Sequence, residues 1–117
     1  MATHNDLGKN GEKLAKEYFE KNNYEILHLN WRHSHYEVDI IASKNNILHF
    51  IEVKARRSKA FGNPEESVTK KKIENLMHAA EEFLYQFPKW KRIQFNILSI
   101  NIINDQPEFF LIEDVSL

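Results

Sequence analysis

Two short apolar runs, Ile40-Ile41-Ala42-Ser43 and Ile47-Leu48-His49-Phe50-Ile51, flank Lys44-Asn45-Asn46, and charged residues close both far ends. Glu37-Val38-Asp39 precedes the first run and Glu52-Val53-Lys54 follows the second. Two runs of this kind around residues that accept positive φ predict a β-hairpin. With Asn45 and Asn46 as the central pair of a two-residue turn, Lys44 lies opposite Ile47. Counting back then sets Asp39 opposite Glu52 and Glu37 opposite Lys54. Side chains alternate along a strand, so Glu37 shares a face with Asp39, and Glu52 with Lys54. A three-residue turn would shift the pairing, set Asp39 opposite Ile51 and separate the acidic pairs onto opposite faces. In the first register two carboxylates meet at about 5 Å and repel unless a divalent cation lies between them. The plain alternative is a solvated polar edge. Against it, the apolar neighbours of each charge suggest strands covered on both faces.

The rest of the chain reads as αβββαβ followed by a last strand. A first helix is predicted over Leu7 to Lys21, capped by Asn5 or Asp6, with Leu7, Gly11, Leu14, Ala15, Tyr18 and Phe19 on one face. Glu12 sits at the edge of that face, at the core boundary, where it is either a solvated border residue or one aimed at the sheet. Tyr24 to Arg32 is the first strand, with Leu27, Leu29 and Trp31 on one side, and His33-Ser34-His35 is a turn. A long connection over Ala55 to Ser67, containing Phe61-Gly62-Asn63-Pro64, is the expected mobile element. A second helix is expected over Thr69 to Phe87, ended by Pro88, with Ile73, Leu76, Met77, Ala80, Phe83, Leu84 and Phe87 as its apolar stripe. Ile93 to Ile103 is a fourth strand, Asn104-Asp105-Gln106-Pro107 a turn, and Glu108 to Val115 a fifth strand. A helix between strands three and four implies a right-handed crossover and a parallel pair, so the sheet is mixed, with helices packed against it. The expected fold class is therefore α/β, one domain over residues 1–117.

Composition narrows the function. The chain has 117 residues and no cysteine, which predicts a reducing, cytoplasmic setting and rules out thiolate chemistry. No apolar run approaches a membrane span, so no membrane partner is expected. Three glycines and no glycine-rich phosphate loop argue against a nucleotide fold. His33 and His35 place two imidazoles on one strand face without a third ligand, which is too little for zinc.

The net charge of −1 hides an uneven distribution. From Lys54 to Lys72 there are seven bases (Lys54, Arg56, Arg57, Lys59, Lys70, Lys71, Lys72) against two acids. A carboxylate pocket beside such a stripe suits a polyanion held by its phosphates; the bland reading is ordinary solvation. Lys70-Lys71-Lys72 stand in the first turn of the second helix, where positive charge opposes the helix dipole. Phosphate contact is the favoured explanation of that unfavourable placement.

Several blocks then occur in order: Gly11-Glu12-Lys13-Leu14-Ala15, Asn30-Trp31-Arg32, Glu37-Val38-Asp39-Ile40-Ile41-Ala42, Phe50-Ile51-Glu52-Val53-Lys54-Ala55-Arg56, Phe61-Gly62-Asn63-Pro64 and Val68-Thr69-Lys70-Lys71-Lys72. Together they resemble the YraN family, small bacterial proteins with a restriction-endonuclease-like fold, over about residues 7 to 100. Residues 101–117 are a C-terminal strand extension that the resemblance matches only weakly. Asp39, Glu52 and Lys54 are similar to the PD-(D/E)xK signature, and with Glu12 they resemble archaeal Holliday junction resolvases. The sequence departs from that pattern at Val38 (proline in the signature), Tyr36 (often glycine) and Asn96 (often aspartate).

What the resemblance and the residues imply together is a Mg²⁺- or Mn²⁺-dependent endonuclease acting on DNA rather than RNA, including branched or recombination intermediates. Asp39, Glu52, the Val53 carbonyl and Glu12 are the expected metal ligands. Lys54 would orient a water or offset transition-state charge, and Glu37 would pair with Lys54 or complete a second metal shell. Arg56, Arg57, Lys70, Lys71 and Lys72 are the expected phosphate contacts. By analogy with junction resolvases, a homodimer is implied. Two rivals are a non-catalytic nucleic-acid-binding module on the same fold and a protein-interaction scaffold.

Overall fold

The computed structural model describes residues 4–57 and 69–116. The side chain of Leu7 and the connection beyond residue 57, with its Phe61-Gly62-Asn63-Pro64 segment, lie outside the described residues. A hairpin organises everything else. Strands β2 (Tyr36–Lys44) and β3 (Ile47–Arg56) pair antiparallel with Lys44 opposite Ile47, the register of the two-residue turn. Asn45 and Asn46 take φ of 54° and 63°, so both central residues are left-handed, as a type I′ turn requires.

Strand β1 (Glu25–His33) precedes β2 and pairs with it antiparallel. Strand β4 (Ile93–Ile103) lies parallel to β3, and β5 (Gln106–Ile112) closes the sheet in the order β1-β2-β3-β4-β5. The expected meander and the parallel pair are both present, and the molecule is an α/β domain with a mixed five-stranded sheet and two helices. The last turn is shorter than the sequence suggests. Asn104 and Asp105 alone form it, at φ 51° and 63°, so Gln106 and Pro107 already belong to β5. Proline is tolerated there because β5 is an edge strand.

One helix covers each face. Helix α1 (His4–Lys21) begins before Asn5 and Asp6, so neither caps it. It stops at a left-handed Asn23, with the Tyr24 N–H donating to the Phe19 carbonyl and the Asn23 N–H to that of Glu20. Ala15 and Phe19 pack with Tyr24, Ile40, Ala42, Ile51, Leu98 and Ile100. Helix α2 (Lys70–Gln86) is capped by Thr69, whose Oγ1 accepts from the Lys72 N–H at 3.2 Å. Its Leu76, Ala79, Ala80 and Phe83 pack with Val38, Ile41, Leu48 and Phe50. Phe19, Phe50 and Phe83 are fully buried, each worth roughly 1.5–3 kcal/mol of burial. Met77 and Phe87, expected in the apolar stripe of α2, lie toward solvent; Ala79 takes a core place instead.

Strand β1 breaks its own alternation. A register shift between Ile26 and His28 sets Leu27 on the α2 side and Leu29, 46% exposed, on the other, and past the left-handed Asn30 the chain returns Trp31 to the α2 side. Leu27, Leu29 and Trp31 therefore do not form one face. A bulge inserts one residue and reverses the pattern beyond it.

Candidate functional site

Asp39 occupies the point where the hairpin opens. The β2–β3 ladder runs from Lys44↔Ile47 to Ile40↔Ile51 and ends there. On the other side, β1 pairs Leu29 with Ile40 and then Trp31 with Val38, and Asn30 between them has φ 53°. Val38 belongs to the α2-side core and Ile40 to the α1-side core, so the alternation of β2 reverses across Asp39. The direct Asp39–Glu52 rung expected from the register is absent. In its place the Asp39 carboxylate accepts a hydrogen bond from the Val53 N–H at 2.7 Å. A side chain thus supplies the acceptor where the backbone ladder stops.

That acid is held close to neutrality. Burial pushes the Asp39 carboxyl up from its ordinary value to about 6, against the Val53 N–H, which favours the charged form. The negative charges of Glu52, Glu37 and Glu12, in falling order, raise it further. The three predicted acidic neighbours therefore surround Asp39 electrostatically, although they are not equivalent. Glu52 is half-buried, and its Oε2 is buried with no hydrogen-bond partner among the described residues. Glu12 is exposed on α1, with Asn30 Nδ2 3.5 Å from its Oε2. Glu37 does not pair with Lys54: it accepts from Arg32 Nη2 at 2.8 Å, its cross-strand neighbour. Among the described residues, no three His, Cys, Asp or Glu side chains group closely enough to hold a metal by themselves.

The position of Glu12 follows from Gly11. A Cβ at Gly11 would stand 2.9 Å from the Ala55 Cβ, closer than side chains approach, so only glycine lets α1 lie this near β3. The basic residues divide between two sides. Val53 and Ala55 pack in the α1-side core, which leaves the alternate residues Glu52, Lys54 and Arg56 for the α2 side. There Lys72 joins them. Burial lowers the Lys72 ammonium pKa, Glu52 opposes that shift, and Lys54 and Arg56 add to it. Arg56 is tethered at one donor: its Nε donates to Asn101 Oδ1 at 3.1 Å, and its Nη2 is buried without a partner among the described residues. Arg57 lines a separate cleft of about 400 Å³ between α1 and the β4–β5 turn, with Asn10, Lys13 and Asp105. Lys70 and Lys71 line a second groove, on the outer flank of α2.

His33 and His35 do not share a strand face. β1 ends at His33, which lies 3.4 Å from Glu82, and His35 in the turn tilts over Tyr36. Sequence reasoning did not pick out Asn30, Arg32 or Asn101 as residues that position the site. The available signal was weak: an asparagine between Leu29 and Trp31, a residue type that accepts positive φ inside a predicted strand.

Among the described residues, no helix is long and apolar enough to cross a membrane. Residues 11–100 match the uncharacterised protein family UPF0102. A UPF0102 protein of Flavobacterium johnsoniae is 45% identical over 105 residues, spanning 86% of this chain and 85% of the relative. Others from Bacteroides thetaiotaomicron and Christiangramia forsetii are 42% and 44% identical, each spanning 86% of this chain and 83% and 84% of the relative. The resemblance drawn from the motif blocks and this match meet over the same stretch, α1 through most of β4, and the chain belongs to the UPF0102 family.

Proposed function

We propose that this protein is a metal-dependent endonuclease of restriction-endonuclease-like fold that hydrolyses phosphodiester bonds in DNA, branched or recombination intermediates included. One observation carries the reading. A half-buried carboxylate with a pKa near 6, Asp39, lies beside a second acid, Glu52, whose inner oxygen has no partner among the described residues, and two lysines flank that acid. An orphaned buried oxygen costs about 1–3 kcal/mol, more when charged, and such a cost is borne where a ligand satisfies it. The αβββαβ order with a parallel β3–β4 pair supports the fold assignment.

The donor set fits Mg²⁺ or Mn²⁺. Hard cations of this kind take one or two carboxylates and keep several waters, so the lack of a three-carboxylate group among the described residues does not count against them. Asp39 and Glu52 would hold the ion with the Val53 carbonyl, and Glu12 through water. A bound ion supplies a more acidic water and a polarised phosphate. Lys54 would orient an attacking water and offset charge on the pentavalent transition state, with Lys72 as its neighbour on the same side. Lys70, Lys71 and Lys72 meet the flanking phosphates, while Arg56 stiffens β3 against β4 through Asn101. A reducing cytoplasm and a homodimer belong to this reading, the latter checked by sedimentation of the purified chain.

The test is cleavage of labelled duplex, flap and four-way DNA with Mn²⁺ or Mg²⁺. Wild type cuts at least one substrate, and Asp39→Asn and Lys54→Ala cut at least 100-fold more slowly, on the order expected for loss of a metal ligand or a charge stabiliser. Inactivity of the wild type on all of them with both metals would end the proposal. The pairing of Glu37 with Arg32 favours a second reading, a binding module without cleavage. In that case Asp39→Asn binds DNA as tightly as wild type or tighter, and no metal-dependent product forms.

A further inference from the structure

The groove on the outer flank of α2 has a chemistry of its own. Its volume is about 610 Å³, and the β1–β2 turn and one face of α2 line it. From the turn come His35 and Tyr36. From α2 come Lys70, Lys71, Glu74 and His78, spaced so that they share a helix face opposite Ile73, Leu76 and Phe83. Three rings follow one another in a column: His35 lies over Tyr36 with centroids 4.1 Å apart, and Tyr36 stacks on His78 at 5.5 Å and 27°. Tyr36 is anchored against the α2-side core, whereas both histidines are exposed and add nothing to that core. An aromatic surface facing water beside two lysine ammoniums is an unusual arrangement for a merely solvated face.

We infer that this groove binds one unstacked nucleotide of a single-stranded segment, its base stacked on the exposed His78 end of the Tyr36–His78 column and its phosphates paired with Lys70 and Lys71. Every nucleobase has a π-face, so stacking of this kind tolerates sequence. Lysines supply the sequence-independent grip on phosphate. Glu74 and Asn75 also line the groove, and the Glu74 carboxylate accepts N–H donors from a base edge while repelling phosphate, which keeps the backbone at the lysine end. Position matters too. Tyr36 stands three residues before Asp39 on β2, about 10 Å at strand rise, or about three nucleotides of stacked strand. A strand cut at Asp39 would thus pass its unpaired neighbour into the groove, as a flap or a branch point does. The inference rests on the nucleic-acid reading of the Asp39 site.

Its test uses the full chain in EDTA, with a fluorescently labelled oligothymidine and a blunt DNA duplex of equal length as probes. Tyr36→Leu and His78→Ala each weaken oligothymidine binding roughly 5- to 150-fold, the loss of one stacked base, and leave duplex binding unchanged. Tyr36→Phe keeps wild-type affinity. His78 is exposed, so its variant reports on binding even if Tyr36→Leu folds poorly. Unchanged oligothymidine binding in His78→Ala, or equal loss of single-strand and duplex binding, overturns the inference. Cleavage separates the two proposals. A protein that cuts DNA but whose groove variants bind normally has lost only the groove. One that binds oligothymidine through the groove and cuts nothing has lost only the nuclease.

Discussion

Asp39 sets opposite demands on stability and on the proposed activity. Its folded-state pKa is about 6 against an ordinary 3.8, so the native state holds a proton that the unfolded chain gives up. The associated stability is complete below about pH 4 and is lost as pH rises through 6, a difference on the order of 3 kcal/mol. Asp39→Asn keeps an acceptor for the Val53 N–H and removes the charge. It should melt several degrees above wild type at pH 8 and close to it at pH 4.5. Mn²⁺ should raise the melting temperature of wild type at pH 8 and leave the variant unmoved. Stabilities of wild type and Asp39→Asn that run parallel between pH 4 and 8 would contradict the half-buried, crowded carboxylate, a comparison in which the His49 contribution cancels. At the other end of β3, His49 has the reverse dependence. Burial lowers its pKa, so its contribution is intact above about 6.5 and fades as pH falls. Its Nδ1 meets Asn96 Nδ2 at 3.0 Å, and Asn96 Oδ1 accepts from the Asp114 N–H at 3.1 Å. Asn96→Leu strips both partners and should cost roughly 2–4 kcal/mol in chemical denaturation. Asn96→Asp would favour the imidazolium and flatten the acid limb of the stability profile.

The hairpin was legible at the level of elements because its turn chemistry and two apolar runs agree on one register. Asn45-Asn46 fixed Lys44 opposite Ile47, and the ladder followed from there to Ile40↔Ile51. The reversal at Asp39 and the bulge in β1 were not legible. Both depend on which helix each residue meets, and strand periodicity carries no such information. The Glu37–Arg32 pair was missed for a related reason: the count across β2 and β3 ignored β1, whose register places Arg32 nearer. Helix α1 offers a sharper check. Gly11→Ala would force the helix away from β3, with destabilisation of about 1–3 kcal/mol and a displaced Glu12. Cleavage should fall more than the loss of folded protein explains, measured at a temperature where circular dichroism shows the variant fully folded.

Across the whole molecule, sheet order and helix placement were readable from the alternation of apolar periods, since a helix between two strands implies their parallel pairing. Which basic residues stay free was not. Arg56 looked like the others in sequence, yet Asn101, forty-five positions later, ties it down. Counterion release gives this a measurable form. For single-stranded DNA, log affinity should fall with log salt by about 0.7 per phosphate neutralised. The Lys70→Ala, Lys71→Ala double variant should therefore lose about 1.4 from that slope, while Arg56→Ala should leave it nearly unchanged and lower thermal stability instead. An equal slope change for both would mean that the tether to β4 does not hold in solution. Finally, the Val53 amide leans on a carboxylate instead of a carbonyl, so the acid proposed as a metal ligand is also a structural clasp. A descendant that abandoned catalysis could shed Glu52 and relieve an awkward charge. Replacing Asp39 with an aliphatic residue would unfasten two strands, and so the first acid should outlast the second wherever the chemistry is retired.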